Sequence, residues 1–316
     1  MNAAIHPGFE LPEPAERMRV TSRDGLGLNV EIHGRPDAEQ TVVLIHGWTS
    51  SIRIWAPVIR SLGDDVRIIA YDLRGHGRSD VAAHARRRAG RPALPSPYTT
   101  AALADDLTAV LDHTLPPGGK AVLAGHSMGG MTIMAAAARE PALSKRASGV
   151  LLASTGCQNL VTRSVSLPLS SRLRRTGPTL QRMVMMSAAP LGPMTRLSSA
   201  ALKYPTLGAG APAEMIAVNA AIIHACDRRA RAGWGRTLTS LDVADGASRL
   251  DVPAHVLVGT ADRLTPRVHA RHIAGLLPHC EGLTELPDVG HMTPLEAPHV
   301  ITDLIRALAA RPVDAP

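Results

Sequence analysis

Short apolar runs and amphipathic stretches alternate along most of the chain. "TVVLIHG" (Thr41–Gly47), "VRIIAYD" (Val66–Asp72), "KAVLAG", "ASGVLLAS", "AHVLVG" and "GLTELP" are brief and mostly apolar, several rich in β-branched residues, as strands covered on both faces are. Between them, "IRIWAPVIRSL", the stretch opening at Thr100, and "MGGMTIMAAAARE" carry apolar residues at helical spacing. Upstream, "RMRVTSRDGLGLNVEIHG" reads as two strands joined by a turn at Asp24-Gly25. Downstream, Thr265 reads as a helix cap with Pro266 at the first helical position, and a closing helix is expected from about Pro294 to Ala310. This alternation predicts an α/β fold, a mostly parallel central sheet with helices on both faces.

One segment breaks the rhythm. From Gln158 to about Ser248 there is no strand signal, only helical patterning rich in Met, Ala and Arg, between two stretches that read as core strands. We expect a core built from residues 1–157 and 249–316, with 158–248 inserted as a helical cap or lid over the carboxyl ends of the strands. Open α/β sheets bind ligands at that edge. The Arg- and Pro-rich stretch Val81–Pro97 reads as a long solvated loop.

Composition narrows the function classes. With 45% hydrophobic and 19% charged residues, the 316-residue chain can bury a sizeable core. The formal charge of +7 comes with no nucleic-acid recognition motif, so nucleic-acid binding is not expected. Cys157, Cys226 and Cys280 form no CxxC pair. The first residues lack a basic start and an apolar run, and no stretch approaches the length of a membrane span, so a cytoplasmic protein is expected. His269 and His272 stand three apart on a helix without an evident third ligand, and neither a metal nor a cofactor is expected.

The chemistry centres on "AVLAGHSMGG" (Ala121–Gly130). Here G-x-S-x-G lies between a strand and a helix, the setting in which a serine hydroxyl is pushed clear of the sheet on strained backbone. Such a hydroxyl needs a base, and the base needs an orienting acid. "GTADRLTP" supplies Asp262 after one strand and "LPDVGHMTP" supplies His291 after the next, at the same sheet edge as Ser127. Asp288, close to His291 in sequence, is a competing acid. The backbone N–H of Met128, and that of Trp48 after "VVLIHG", are candidate donors to an oxyanion. His126 reads as a packing or hydrogen-bonding residue and His76 as part of a glycine-rich turn. Met183, Met185, Met186, Met194 and Met215 are candidates for an adaptable acyl pocket, with Met183, Met185 and Met186 foremost. Arg172, Arg174, Arg175, Arg182 and Arg196 form a solvated face that leaves room for contact with a lipid interface.

The blocks "HGW" (His46–Trp48), "YDLRGHGRSD" (Tyr71–Asp80), "GHSMGG", "GTADRLTP" and "GHMTPLEAP" resemble, in order, those of the α/β-hydrolase superfamily, specifically its capped serine esterases and lipases. The resemblance spans about Met18 to Ala310. It implies Ser127 as nucleophile, His291 as base, Asp262 as acid, and a lid over Gln158–Ser248. Members with dehalogenase or epoxide-hydrolase activity carry aspartate at the elbow, where this chain has serine. The expected activity is hydrolysis of a small-molecule carboxylic ester with an apolar acyl group. Thioester or C–C bond hydrolysis and a perhydrolase activity like that of cofactor-free haloperoxidases are the catalytic alternatives. A non-catalytic hydrolase-fold binder of a small apolar ligand is the alternative of another class. The sequence leaves the physiological substrate and the oligomeric state open.

Overall fold

Alternate residues of the central strands feed two separate cores, the arrangement that makes those strands apolar throughout. In the computed structural model, which describes residues 7–81, 96–164 and 177–310, Val43 and Ile45 join one core with Leu103, Leu107 and Met131. Val42 and Leu44 join the other with Val58, Ile301 and Ile305. Each core is roofed by helices, among them Thr100–Thr114 and Met128–Arg139 on one face and Ala56–Leu62 and Pro298–Ala309 on the other.

Among the described residues, eight strands make one sheet: β1 (Glu16–Thr21), β2 (Gly27–His33), β3 (Thr41–Ile45), β4 (Arg67–Tyr71), β5 (Ala121–His126), β6 (Ala147–Ala153), β7 (Ala254–Gly259) and β8 (Cys280–Leu286). Their order is β1-β2-β4-β3-β5-β6-β7-β8. The β1–β2 hairpin and the β2–β4 pair are antiparallel, and the pairs from β4 across to β8 are parallel. The chain reaches β4 on one side of β3 and then crosses to β5 on the other. That reversal brings the loops after β3 and β5 together at the carboxyl edge, the position where such sheets form a crevice.

The helical stretch between β6 and β7 contains Gly177–Met185, Arg196–Thr206, Ala213–Ala225 and Arg228–Leu238, with short helical turns at Leu160–Arg163 and Ala244–Ser248. Among the described residues, one isolated bridge, Gln158 with Asp242, joins its two ends. Gly235 permits a close helix crossing, because a Cβ there would stand 1.9 Å from the Met185 carbonyl oxygen.

Two local expectations are corrected. The helix after β7 begins at Arg267 with Pro266 as its N-cap, and Thr265 does not cap it; its hydroxyl is bonded to Asp262 instead. The closing helix is two pieces, Thr293–Glu296 and Pro298–Ala309, broken at Ala297 (φ −140°, ψ 52°). The residue before a proline is pushed out of the helical region, which accounts for the break. Most of the Val81–Pro97 loop lies outside the described residues, as do Arg172, Arg174 and Arg175.

Candidate active site

Ser127 joins β5 to the helix Met128–Arg139 with φ 52° and ψ −116°, a left-handed backbone that costs a non-glycine residue on the order of 1–3 kcal/mol. The strain is tolerated because the neighbours let the helix press against the sheet. A Cβ on Gly129 would stand 2.0 Å from the Ile45 carbonyl oxygen, and one on Gly125 would stand 2.5 Å from the Gly130 nitrogen. The loop after β3 is equally close, since a Cβ on Gly47 would meet the Ser127 Cβ at 2.9 Å.

Asp262 and His291 come to this serine from the ends of β7 and β8. His291 Nε2 is 3.0 Å from Ser127 Oγ, and His291 Nδ1 is 2.9 Å from Asp262 Oδ2. The carboxylate's other oxygen accepts from the amides of Leu264 (2.9 Å) and Thr265 (2.8 Å). Thr265 Oγ1 donates to Asp262 Oδ2 at 2.9 Å and lies 3.2 Å from His291 Nδ1. Burial alone would raise the Asp262 pKa. The His291 charge and the hydrogen bonds from His291 and Thr265 outweigh it and hold the carboxyl below its usual value. An ionised Asp262 keeps the proton on Nδ1, which leaves Nε2 as the acceptor for the serine hydroxyl. Asp288 is exposed, and its amide rather than its carboxylate is engaged, with Thr260 Oγ1 at 2.9 Å.

Three further histidines hold the loops around this site. His46 donates from Nδ1 to the Gly47 carbonyl (2.7 Å) and accepts at Nε2 from the Leu73 amide (3.0 Å). His76 donates from Nδ1 to the Arg74 carbonyl (3.1 Å) and accepts at Nε2 from the Thr49 amide (3.1 Å). His126 donates from Nε2 to the His291 carbonyl at 2.8 Å. All three are buried, and burial pushes His76 down to about 4 and His126 down to about 3. Arg74, in the same glycine-rich turn as His76, is buried and forked onto Asp106 at 2.6 and 2.7 Å.

The helices between β6 and β7 pack against this edge. The Thr206 carbonyl accepts from the amides of His291 (2.9 Å) and Met292 (3.0 Å), and Glu296 accepts from the amides of Gly208 and Gly290. Trp48 donates its indole N–H to the Arg231 carbonyl at 2.9 Å. Beneath them lies a cavity of about 380 Å³. Trp48, Ser127, Thr265 and His291 line it from the sheet side, and Leu160, Gln181, Met185, Leu202, Ile223 and Arg231 are among those lining it from the insertion. The backbone N–H groups of Trp48 and Met128 find no protein acceptor among the described residues.

The methionines divide. Met185 lines the cavity, but Met183 is 62% exposed and Met186 is not among the lining residues. Each helical residue turns about 100°, so positions 183, 185 and 186 cannot share one face. The helix Gly177–Met185 presents Gln181, Val184 and Met185 to the cavity instead, at i, i+3 and i+4. Met194 is exposed, and Met215 packs into a core. Arg182 and Arg196 face solvent. His272 faces the Gln158 amide at 2.8 Å, and no group of His, Cys, Asp or Glu among the described residues could hold a metal ion. No described helix is long and apolar enough to cross a membrane.

Residues 42–304 match the Alpha/beta hydrolase family. The chain belongs to that family. This α/β hydrolase is 28% identical, over 92% of its own length, to the probable oxidoreductase EphD of Mycobacterium tuberculosis H37Rv, of which the match covers 49%. It is 36% identical to the putative carbamate hydrolase RutD of Caulobacter sp. K31 over 116 residues, 36% of this chain and 38% of that protein. The match thus spans half or less of these curated relatives. Among solved structures, the malate-bound thermophilic esterase of Thermogutta terrifontis superposes with a TM-score of 0.70 at 25% identity, over 93% of this chain and 97% of that one.

Thr265 and Arg231 are the site residues that sequence reasoning assigned otherwise or passed over, whereas His126 makes the kind of hydrogen bond expected of it and His76 holds its turn. For Thr265 a signal existed: a hydroxyl three residues after a candidate acid can hydrogen-bond it in a turn.

Proposed function

We propose that this hydrolase cleaves a carboxylic ester with an apolar acyl group through an acyl-enzyme on Ser127. The observation that carries the reading is His291 bridging Ser127 Oγ at 3.0 Å and Asp262 Oδ2 at 2.9 Å. His291 Nε2 removes the hydroxyl proton as Oγ attacks the carbonyl carbon. The resulting imidazolium lies against ionised Asp262, and the oxyanion is held by the Trp48 and Met128 amides. Each such donor is worth about 3–4 kcal/mol in the transition state. Collapse of the intermediate expels the alcohol, which takes its proton from His291. Water, deprotonated by the same nitrogen, then attacks the acyl carbon and releases the acid. Residues 158–248 act as the cap of a core made by 1–157 and 249–316, and Met185 contributes to the acyl pocket. The likeness to the Thermogutta esterase supports this reading. Carbamate hydrolysis is the second reading, favoured by the partial match to RutD.

A fluorophosphonate probe tests the proposal. The wild type should label at Ser127, and Ser127→Ala should lose labelling and about 10⁴–10⁶ in kcat. A folded wild type that stays unlabelled and turns over no ester would instead be a binding protein.

A further inference from the structure

Arg231 is a charged group in the described cavity wall that ester cleavage does not use. It stands in the second turn of the helix Arg228–Leu238, is 7% exposed, and lines the cavity that holds Ser127 and His291. One guanidinium nitrogen, Nη2, donates to the carbonyls of Ala189 and Ser187. Nε and Nη1 have no protein hydrogen bond among the described residues, and no carboxylate lies within ion-pair distance. Asp227, the N-cap of the same helix, is engaged at the helix start. Its Oδ1 accepts from the amides of Arg229 (2.8 Å) and Ala230 (2.9 Å). Among the described residues, the cavity lining contains neither Asp nor Glu.

A guanidinium facing a mostly apolar cavity, with no acid among the described lining residues, favours an anion there, because a charge-assisted hydrogen bond is about twice as strong as a neutral one. Tying down the Ser187–Ala189 turn needs one donor nitrogen. Nε–H and Nη1 lie on different edges of the guanidinium, each shared with Nη2, so the donor left toward a carboxylate is Nη1, in a single charge-assisted hydrogen bond. Arg231 is also joined to the elbow through Trp48, whose indole donates to the Arg231 carbonyl while its backbone follows Gly47 beside Ser127.

We propose that Arg231 receives a carboxylate carried at the far end of the substrate's acyl chain, so that the preferred substrate is a half-ester of a dicarboxylic acid rather than an ester of a simple fatty acid. This rests on the ester-hydrolase reading. The methylene chain lies along the apolar lining, the ester carbonyl sits at Ser127, and the terminal carboxylate pairs with the Arg231 guanidinium.

The test compares kcat/KM for p-nitrophenyl hydrogen adipate with that for p-nitrophenyl heptanoate, which has a similar length but no charge. The readout is the ratio. Wild type should favour the charged ester, Arg231→Met should lower the ratio by about 10²-fold, and Arg231→Lys should retain part of it. A wild-type ratio below one, or equal losses on both esters in Arg231→Met, would reduce Arg231 to a tie for the Ser187–Ala189 turn and overturn the proposal. Fluorophosphonate labelling of Ser127 in each variant reports separately on the hydrolytic site. If wild type is neither labelled nor active, the hydrolase reading fails, and calorimetric titration with adipate decides alone. Binding by wild type but not by Arg231→Met keeps the carboxylate receptor, and no binding by wild type removes it.

Discussion

Acid should unfold this protein through its histidines before its carboxylates titrate. His46 and His76 each donate from one ring nitrogen and accept a backbone amide at the other, so protonation would set two donors face to face. His126 has its Nδ1 buried without a partner. All three are therefore neutral in the folded state, with pKa values well below 6.5 for His46, about 4 for His76 and about 3 for His126. A lowered histidine pKa means the unfolded chain binds the proton first. Its contribution is intact above pH 6.5 and is lost as pH falls from there toward the folded value. Taking 6.5 for the unfolded chain, each histidine loses about 1 kcal/mol between pH 6.5 and 5.5, or roughly 3 kcal/mol for the three. That is a large share of a typical domain's 5–15 kcal/mol. Urea unfolding followed by circular dichroism at the two pH values measures the loss. His76→Gln lowers stability at every pH, but it should remove about 1 kcal/mol of the pH-dependent part, so the slope is the readout. An unfolding free energy that stays constant over this interval, or a slope unchanged in His76→Gln, would refute the assignment of neutral buried rings.

Four substitutions test the site itself. Asp262→Asn places an amide N–H opposite His291 Nδ1, which selects the tautomer that cannot accept the Ser127 proton; kcat should fall by about 10⁴. Asp288→Asn should leave p-nitrophenyl butyrate turnover within about threefold of wild type, since an exposed carboxylate away from His291 holds nothing in place, and the reverse ranking would move the acid to Asp288. Met185→Gln should depress kcat/KM increasingly as the acyl chain lengthens, by up to about 0.8 kcal/mol for each methylene that loses apolar contact. Met183→Gln should change no member of that series, and a chain-length effect there instead would mean that the helix Gly177–Met185 turns its other face to the cavity.

Much of the architecture was legible because each signal was local. The apolar runs at Val42–Ile45 and Val122–Ala124 mark strands buried on both faces, and the left-handed Ser127 follows from glycines that allow helix and sheet to touch. The order Ser127, Asp262, His291 after three strands, now β5, β7 and β8, was likewise enough to nominate three residues that the sheet then joins, Ser127 to His291 at 3.0 Å and His291 to Asp262 at 2.9 Å. Other features depend on how elements rotate and meet, which periodicity along one segment does not specify. Thr265 has the look of a helix cap, yet the turn after β7 swings its hydroxyl onto Asp262 and the helix starts later, at Arg267. The methionines of the helix Gly177–Met185 look like one group in the chain, but packing against Gly235 sets the helix's rotation and leaves Met185 inside and Met183 in solvent. Arg231 is one arginine among many in the sequence. Only the packing of the helices between β6 and β7 over the sheet edge places it in a cavity with no acid among the described lining residues, because the chain that surrounds it comes from segments far apart along the sequence.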